Sequence, residues 1–325
     1  MPFTPRFGML ARLALCAAAF ASLTGWMLWG RHAEPAPSGQ LPAQVVYAWG
    51  VVGVQPGELN FPRAIKAVED GTLFVIDRSG RCQHFSREGK YLGDWRFPAW
   101  QNGTPTSISL DPDGHLIIAN THYSEILIYD QKGKLLRRFG EKGEGVGRMK
   151  MPTDARMGPD HCIYVLERLP WRDKVMKFTA EGKFISEWGA SGDAPGQFVR
   201  PMAVEFDRAG RVWIADSCNH RLEAFDPNGK FIKSIGRRGS ALGEMDYPYD
   251  MALGPNEEFV VAEYGNNRIQ VFDKDGRALG VFGRAGKAPG QFASPWGVDV
   301  DKDGIIWVAD TLNNRVQGIK IAWSK

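Results

Sequence analysis

Residues 196–235 read GQFVRPMAVEFDRAGRVWIADSCNHRLEAFDPNGKFIKSI. Four short runs rich in β-forming residues, 202–206, 211–215, 221–225 and 230–235, are separated by turn-forming residues. Each run is too short for a helix, and the alternation in 211–215 is that of a half-buried strand. The separators are Asp207-Arg208-Ala209-Gly210, residues 216–220, and Asp226-Pro227-Asn228-Gly229. The first and third end in glycine, the residue a tight hairpin needs where φ turns positive. The stretch therefore predicts one antiparallel sheet of four strands.

The same unit recurs on both sides. The proline that opens it stands at Pro62, Pro105, Pro152, Pro201, Pro248 and Pro295, with spacings of 43, 47, 49, 47 and 47 residues. The acidic or amide residue ending the second strand stands at Asp77, Asn120, Glu167, Asp216, Glu263 and Asp310, with the same spacings. Two landmarks that keep one register over six copies predict a six-bladed β-propeller of four-stranded antiparallel blades. No part of the repeat region has sustained helical periodicity. The sixth unit ends before its fourth strand. Val45-Val46-Tyr47-Ala48-Trp49-Gly50 resembles the fourth strands elsewhere, so it is expected to complete the last blade and leave no open edge. Residues 44–325 make six units of 47 residues.

The bulk composition agrees with a packed domain. Of 325 residues, 43% are hydrophobic, and 40 basic against 37 acidic residues leave a formal charge of +3. That balance argues against nucleic acid as a partner. Cys82, Cys162 and Cys218 in the repeats have no metal-type spacing and read as small buried residues; a Cys162–Cys218 bridge is the alternative in an oxidising compartment.

Residues 1–30 read as a membrane-inserting segment. Residues 13–30, LALCAAAFASLTGWMLWG, carry no charge, and with Met9, Leu10 and Ala11 are long enough to span a bilayer. Trp26 and Trp29 suit the interface, and Arg6 and Arg12 favour an inside N-terminus. An uncleaved signal anchor is one reading, and a secretory signal cleaved near Ala19-Phe20-Ala21 is the other. Leu15 before Cys16 disfavours a lipoprotein. Both place the remainder outside the cytoplasm, periplasmic or extracellular, and secreted if cleavage occurs. Residues 31–43 read as a Pro-rich linker and 44–325 as the propeller.

The motif GxF-x-x-P, D-G turn, apolar-Ala-Asp and N-x-R resembles the NHL repeat. It is plainest in Gly196-Gln197-Phe198-Val199-Arg200-Pro201 with Asp216 and Asn219-His220-Arg221, in Glu263 with Asn266-Asn267-Arg268, and in Gly290-Gln291-Phe292-Ala293-Ser294-Pro295 with Asp310 and Asn313-Asn314-Arg315. Blades one to three depart from it: Asn120 and Glu125 replace the acid and arginine of blade two, and Glu167-Arg168-Leu169-Pro170-Trp171-Arg172-Asp173 replaces the short turn of blade three. The resemblance implies the propeller fold. Its implications for function are divided, because members of the family bind RNA, proteins or ligands and a few are lyases.

Strand alternation places the loop before each first strand and the turn after each second strand on one face, here called the top. The residues after each proline then surround the top of the central channel: Arg63, Thr106, Thr153, Asp154, Met202, Tyr249, Asp250 and Trp296. Such a mixture suits a ligand or peptide site; the plainer reading is that Met202, Tyr249 and Trp296 fill the channel. The acidic series and its arginines, Arg221, Arg268 and Arg315, are expected to serve as scaffold, the acids accepting hydrogen bonds from the backbone of the next turn. A hard cation held by these acids is the alternative.

Departures from the repeat mark the candidate contacts: Arg168, Trp171 and Arg172 in blade three, His122 and Tyr123 in blade two, with Arg63, Tyr249 and Trp296 at the mouth. The amidating lyases of the family use histidines, an arginine and a tyrosine around a channel metal. Here only His122 and His220, of six histidines, fall in top turns, which is poor for zinc. A lactonase-like site would draw on Asn120, Asp154, Glu167 and Asp250. The favoured expectation is a monomeric, non-catalytic module that recognises a protein, peptide or small ligand, without a cofactor, and meets the membrane through its N-terminal segment only. The alternative is a metal-dependent propeller enzyme, amidating-lyase-like or lactonase-like, using Ca²⁺ or Zn²⁺.

Overall fold

A computed structural model describes residues 39–323 as six four-stranded antiparallel sheets arranged as the blades of a propeller. Blades one to five are each continuous in sequence. The sixth takes its inner three strands, Val298–Val300, Ile305–Asp310 and Arg315–Ile321, from the end of the fold, and its outer strand, Ala43–Trp49, from the beginning. The expected closure is therefore formed. Cys16 and the segment 1–30 lie outside the described residues. Among those described, no helix is long and apolar enough to cross a membrane.

The fold starts slightly ahead of residue 44. Leu41 donates its amide to the Val281 carbonyl at 2.8 Å, and the Val281 amide donates to Gly39 at 3.0 Å, so residues 39–41 run beside the outer strand of blade five. The end of the stretch read as linker is thus part of the propeller edge.

The blades are held by facing apolar sides. Between blades four and five, for example, Trp213, Ala215 and Leu222 pack on Met251, Phe259 and Val261, all buried. Inner strands, buried on both faces, have lost the alternation that the outer strands keep; Val212–Asp216 is buried throughout, whereas Phe231–Ile235 alternates. Gly229, in the last turn of blade four, has φ +86 and lies beneath the Trp188 ring of blade three, 2.3 Å from where a Cβ would stand. Both the turn and the ring demand glycine.

Candidate functional site

The top of each blade is built on a clasp. In blade four Asp216 is fully buried; it accepts the Val199 amide at 2.8 Å, Asn219 Nδ2 at 2.7 Å and Arg221 Nε at 3.1 Å. Arg221 then donates to the Ala194 and Gln197 carbonyls. Blades five and six repeat this with Glu263, Asn266 and Arg268, and with Asp310, Asn313 and Arg315. The acids are scaffold, with one difference from the sequence expectation. The amide they accept belongs to the loop ahead of the same blade's first strand, 17 residues upstream. Blade three keeps the acid, Glu167 accepting the Lys150 amide, and uses Lys174 in place of arginine. Blade two substitutes a neutral donor, Asn120 Nδ2 bonding Glu125 at 2.9 Å.

The channel mouth is filled. Met202, Tyr249 and Trp296 form one buried cluster against Tyr247 and Tyr264. Tyr249 stacks on Tyr264 at 4.4 Å and meets Trp296 edge-on at 4.8 Å. The Arg63 guanidinium lies 4.8 Å from the centre of the Trp296 ring, and that of Arg200 5.3 Å from Tyr249. Burial, with the charge of Arg78, lowers the Arg63 pKa to about 10. Burial, with the charge of Arg200, lowers that of Arg168 to about 9. His122 is likewise pushed down by burial and then by Arg168 and Arg63. Arg63, Arg168, Arg200 and His122 therefore share one electrostatic neighbourhood.

Below this plug is a narrow cavity lined in part by Ile65, Thr106, Asp154, Arg156 and Asp250. Its carboxylates tie neighbouring blades together. Asp154 accepts the Val204 amide and Asp250 the Val298 amide, each at 2.9 Å, while Asp299 accepts the Ala67 amide at 2.8 Å. Thr106 and Thr153 donate to the Thr153 and Pro201 carbonyls in the same sense around the ring. Burial and the nearby Asp154 raise the Asp250 pKa to about 8.

The four residues considered for a lactonase-like metal divide into two places. Asp154 and Asp250 line the channel, whereas Asn120 and Glu167 are held in the clasps of blades two and three. The top histidines also diverge. His220 Nδ1 accepts the Tyr247 amide at 3.1 Å and its ring lies tilted against that of Tyr247, 4.7 Å between centres, whereas His122 faces two arginines. This donor set, with three guanidiniums at the mouth, does not fit a divalent cation there.

The blade-three turn is where the top face departs most from the repeat. The Arg168 amide donates to the Met151 carbonyl and the side chain turns inward to the mouth. Arg172 Nη2 donates to the Gly145 carbonyl at 3.0 Å. Asp173 accepts Ser191 Oγ at 2.8 Å and the Arg200 amide at 3.3 Å, and burial raises its pKa to about 7. Of the two arginines read from sequence as flanking contacts, Arg172 thus braces the turn and Arg168 is buried toward the mouth. Trp171 is left 58% exposed, on a backbone with φ +72. Bulky side chains rarely occupy this left-handed region. In blade two, Tyr123 Oη accepts the Asn102 amide at 3.0 Å, which ties that turn to the loop before it.

Arg200, Asp173, Tyr247 and Tyr264 were not singled out from sequence. Arg200 and Tyr247 precede the repeat prolines and have φ +57 and +51, as Phe61 and Ser294 do in blades one and six. The position before the proline was the available signal. Cys162 is a free thiol at the bottom end of its blade, and Cys218 lies in a top turn, so the alternative Cys162–Cys218 bridge is not formed.

Residues 245–272 and 292–319 match the family model described as NHL repeat. Mouse NHL repeat-containing protein 3 is 28% identical over 176 residues, covering 48% of this chain and 49% of that protein. Mouse peptidyl-glycine alpha-amidating monooxygenase is 23% identical over 173 residues, covering 50% of this chain and 17% of its own length. The chain therefore spans about half, or less, of these relatives. Virginiamycin B lyase from Staphylococcus aureus superposes with a TM-score of 0.56 at 14% identity, over 80% of each chain, which is a likeness of fold. The chain is therefore a closed six-bladed β-propeller that carries NHL repeats in its last two blades and is similar to NHL repeat-containing proteins.

Proposed function

We propose that this propeller is a non-catalytic recognition module that works through its top face, outside the cytoplasm, held to the membrane by its N-terminal segment. The observation that carries the reading is Trp171. A large aromatic side chain is presented to solvent on an unfavourable backbone conformation, by a turn whose remaining polar residues brace it. Strain of this kind persists where the surroundings impose it, and it concentrates at binding and catalytic sites. Exposed tryptophan is also the side chain with most to gain from burial against a partner. The filled mouth favours contact across the face over a deep small-molecule pocket.

The test compares capture of partners from solubilised envelope by the wild-type chain, by Trp171→Ala and by a bottom-turn control, His115→Ala. Trp171→Ala should fold normally and weaken capture by on the order of 2 kcal/mol, about thirtyfold. Capture lost in the His115 control and kept in Trp171→Ala would assign the working face to the bottom.

A further inference from the structure

Among the described residues, every exposed large hydrophobic side chain lies either on an outer strand of a blade or on the top face. No bottom turn presents one. The top group is spread round the ring: Val51, Val52 and Val54 ahead of blade one, Val146 ahead of blade three, Trp171 in blade three, Leu242 ahead of blade five and Leu312 in blade six. Val52 and Val146 are 68% and 75% exposed, so these are tips and not the rim of a shared pocket. Exposed Lys142, Arg148, Arg237, Arg238, Arg284 and Lys287 stand in the same set of loops and outnumber the exposed acids there, Glu141, Glu144 and Asp193. The turns around the bottom mouth carry an acidic excess instead, with exposed Glu69, Asp70, Asp113, Asp160 and Asp303 against Arg208 and Lys302.

The described chain begins at the outer edge of blade five, with Gly39 beside Gly280 and Val281. Gly39 lies against Leu242, in the top loop ahead of blade five. Eight residues, 31–38, separate it from the uncharged stretch 13–30. At full extension they reach roughly 28 Å. Apolar tips at separate points of a ring, an excess of cations among them and an excess of acids on the opposite face fit a broad, flat, anionic, partly apolar partner. A compact acidic protein would have no use for tips so far apart.

We propose that the top face rests on an anionic bilayer, with Val51, Val52, Val146 and Trp171 entering the interfacial layer and Lys142, Arg284 and Lys287 facing the headgroups. Tryptophan favours that layer, and basic side chains are drawn to anionic lipid. The proposal rests on the top face being the working face and names the surface it meets.

Hydrogen exchange of the full chain tests it, in nanodiscs of phosphatidylcholine with and without phosphatidylglycerol, and in detergent. In the anionic discs, peptides covering 51–58, 141–149 and 169–173 should exchange about tenfold more slowly than in detergent, and those covering 111–115 and 157–161 should not change. The pair Val52→Asp and Val146→Asp, both on exposed tips, should remove the protection and leave the core exchange intact. Equal exchange on the two faces, or protection of the bottom turns, overturns the proposal. Equal protection by soluble glycerol phosphate would reduce it to headgroup binding and also overturn it. Top-face protection that needs envelope extract and is missing in protein-free discs would give the face to a protein partner. Because capture is measured in solubilised extract, lost capture with retained disc protection would remove the protein partner alone.

Discussion

Tyr47 in the closing strand lies flat against Trp307 in the second strand of blade six, with ring centres 5.1 Å apart and planes 22° from parallel. The two rings meet over Gly318, which pairs with both residues in the intervening strand. A Cβ on Gly318 would stand 2.9 Å from each ring. The seam of the ring is therefore a three-strand sandwich in which the absence of one side chain lets two large ones touch.

Gly318→Ala should open that seam. Overpacking of this kind typically costs about 1–3 kcal/mol, and here the two rings clamp the site from both sides. Deleting residues 43–50 is expected to be more severe, because it exposes the edge of Arg315–Ile321 and uncovers Trp307. Thermal unfolding of both variants should show lower midpoints across all blades. A midpoint equal to wild type in the deletion would refute the role of this strand in holding the ring.

Asp216→Ala should be among the most damaging single changes on the top face. It would leave the Val199 amide, Asn219 and the Arg221 guanidinium without their buried acceptor. Breaking one side of a buried pair costs about 3–5 kcal/mol. Asn120→Ala in blade two, where the equivalent group carries no charge, should cost less. Denaturant titration of the two variants measures the difference, and equal losses would show that the charge in the clasp contributes nothing.

Most of this architecture was legible in the sequence because it rests on spacing. The prolines, the acids and the turn glycines each occupy one geometric position, so their register exposed the ring and even its closing strand. What spacing does not carry is direction. Asp216 was expected to accept from the following turn, yet it reaches back to Val199, a contact between segments 17 residues apart. Arg168 and Arg172 flank Trp171 in sequence and were read with it as contacts. The turn sends one inward to the mouth and pins the other to Gly145. Arg200 was overlooked because it resembles any residue before a proline; only its positive φ brings it over Tyr249.

The channel carboxylates give a pH signature. Asp250 is held protonated up to about 8 in the folded chain, by burial first and then by Asp154. An unfolded aspartate titrates near 3.9. The folded state therefore binds the proton more tightly, and its contribution is complete below about pH 4 and lost as pH rises through about 8. Arg156 acts against the shift, while Glu205, Asp299 and Lys66 share the same network. Asp173 and Glu223, each raised to about 7, carry the same sign and act in an overlapping window. Asp250→Asn, which cannot ionise, should accordingly gain stability relative to wild type as pH rises from about 5 to about 9. Denaturation midpoints of both proteins across that range supply the check. A constant difference between them would mean that Asp250 does not titrate there.

Trp171 allows strain and contact to be separated. Its φ of +72 costs a bulky residue on the order of 1–2 kcal/mol. Glycine avoids that cost but loses roughly 0.5–1 kcal/mol to the greater freedom of the unfolded chain. Trp171→Gly should therefore be as stable as wild type or more stable by up to about 1 kcal/mol. Trp171→Ala keeps a Cβ in the same left-handed conformation and should gain less. Both remove the ring, and both should weaken capture by the top face. Loss of binding with unchanged or increased stability is the mark of a residue kept for contact, because a residue kept for folding would lose both together. If Trp171→Gly unfolds more readily than Trp171→Ala, the positive φ is not imposed by the bracing turn, and if both unfold more readily than wild type, the tryptophan is part of the scaffold.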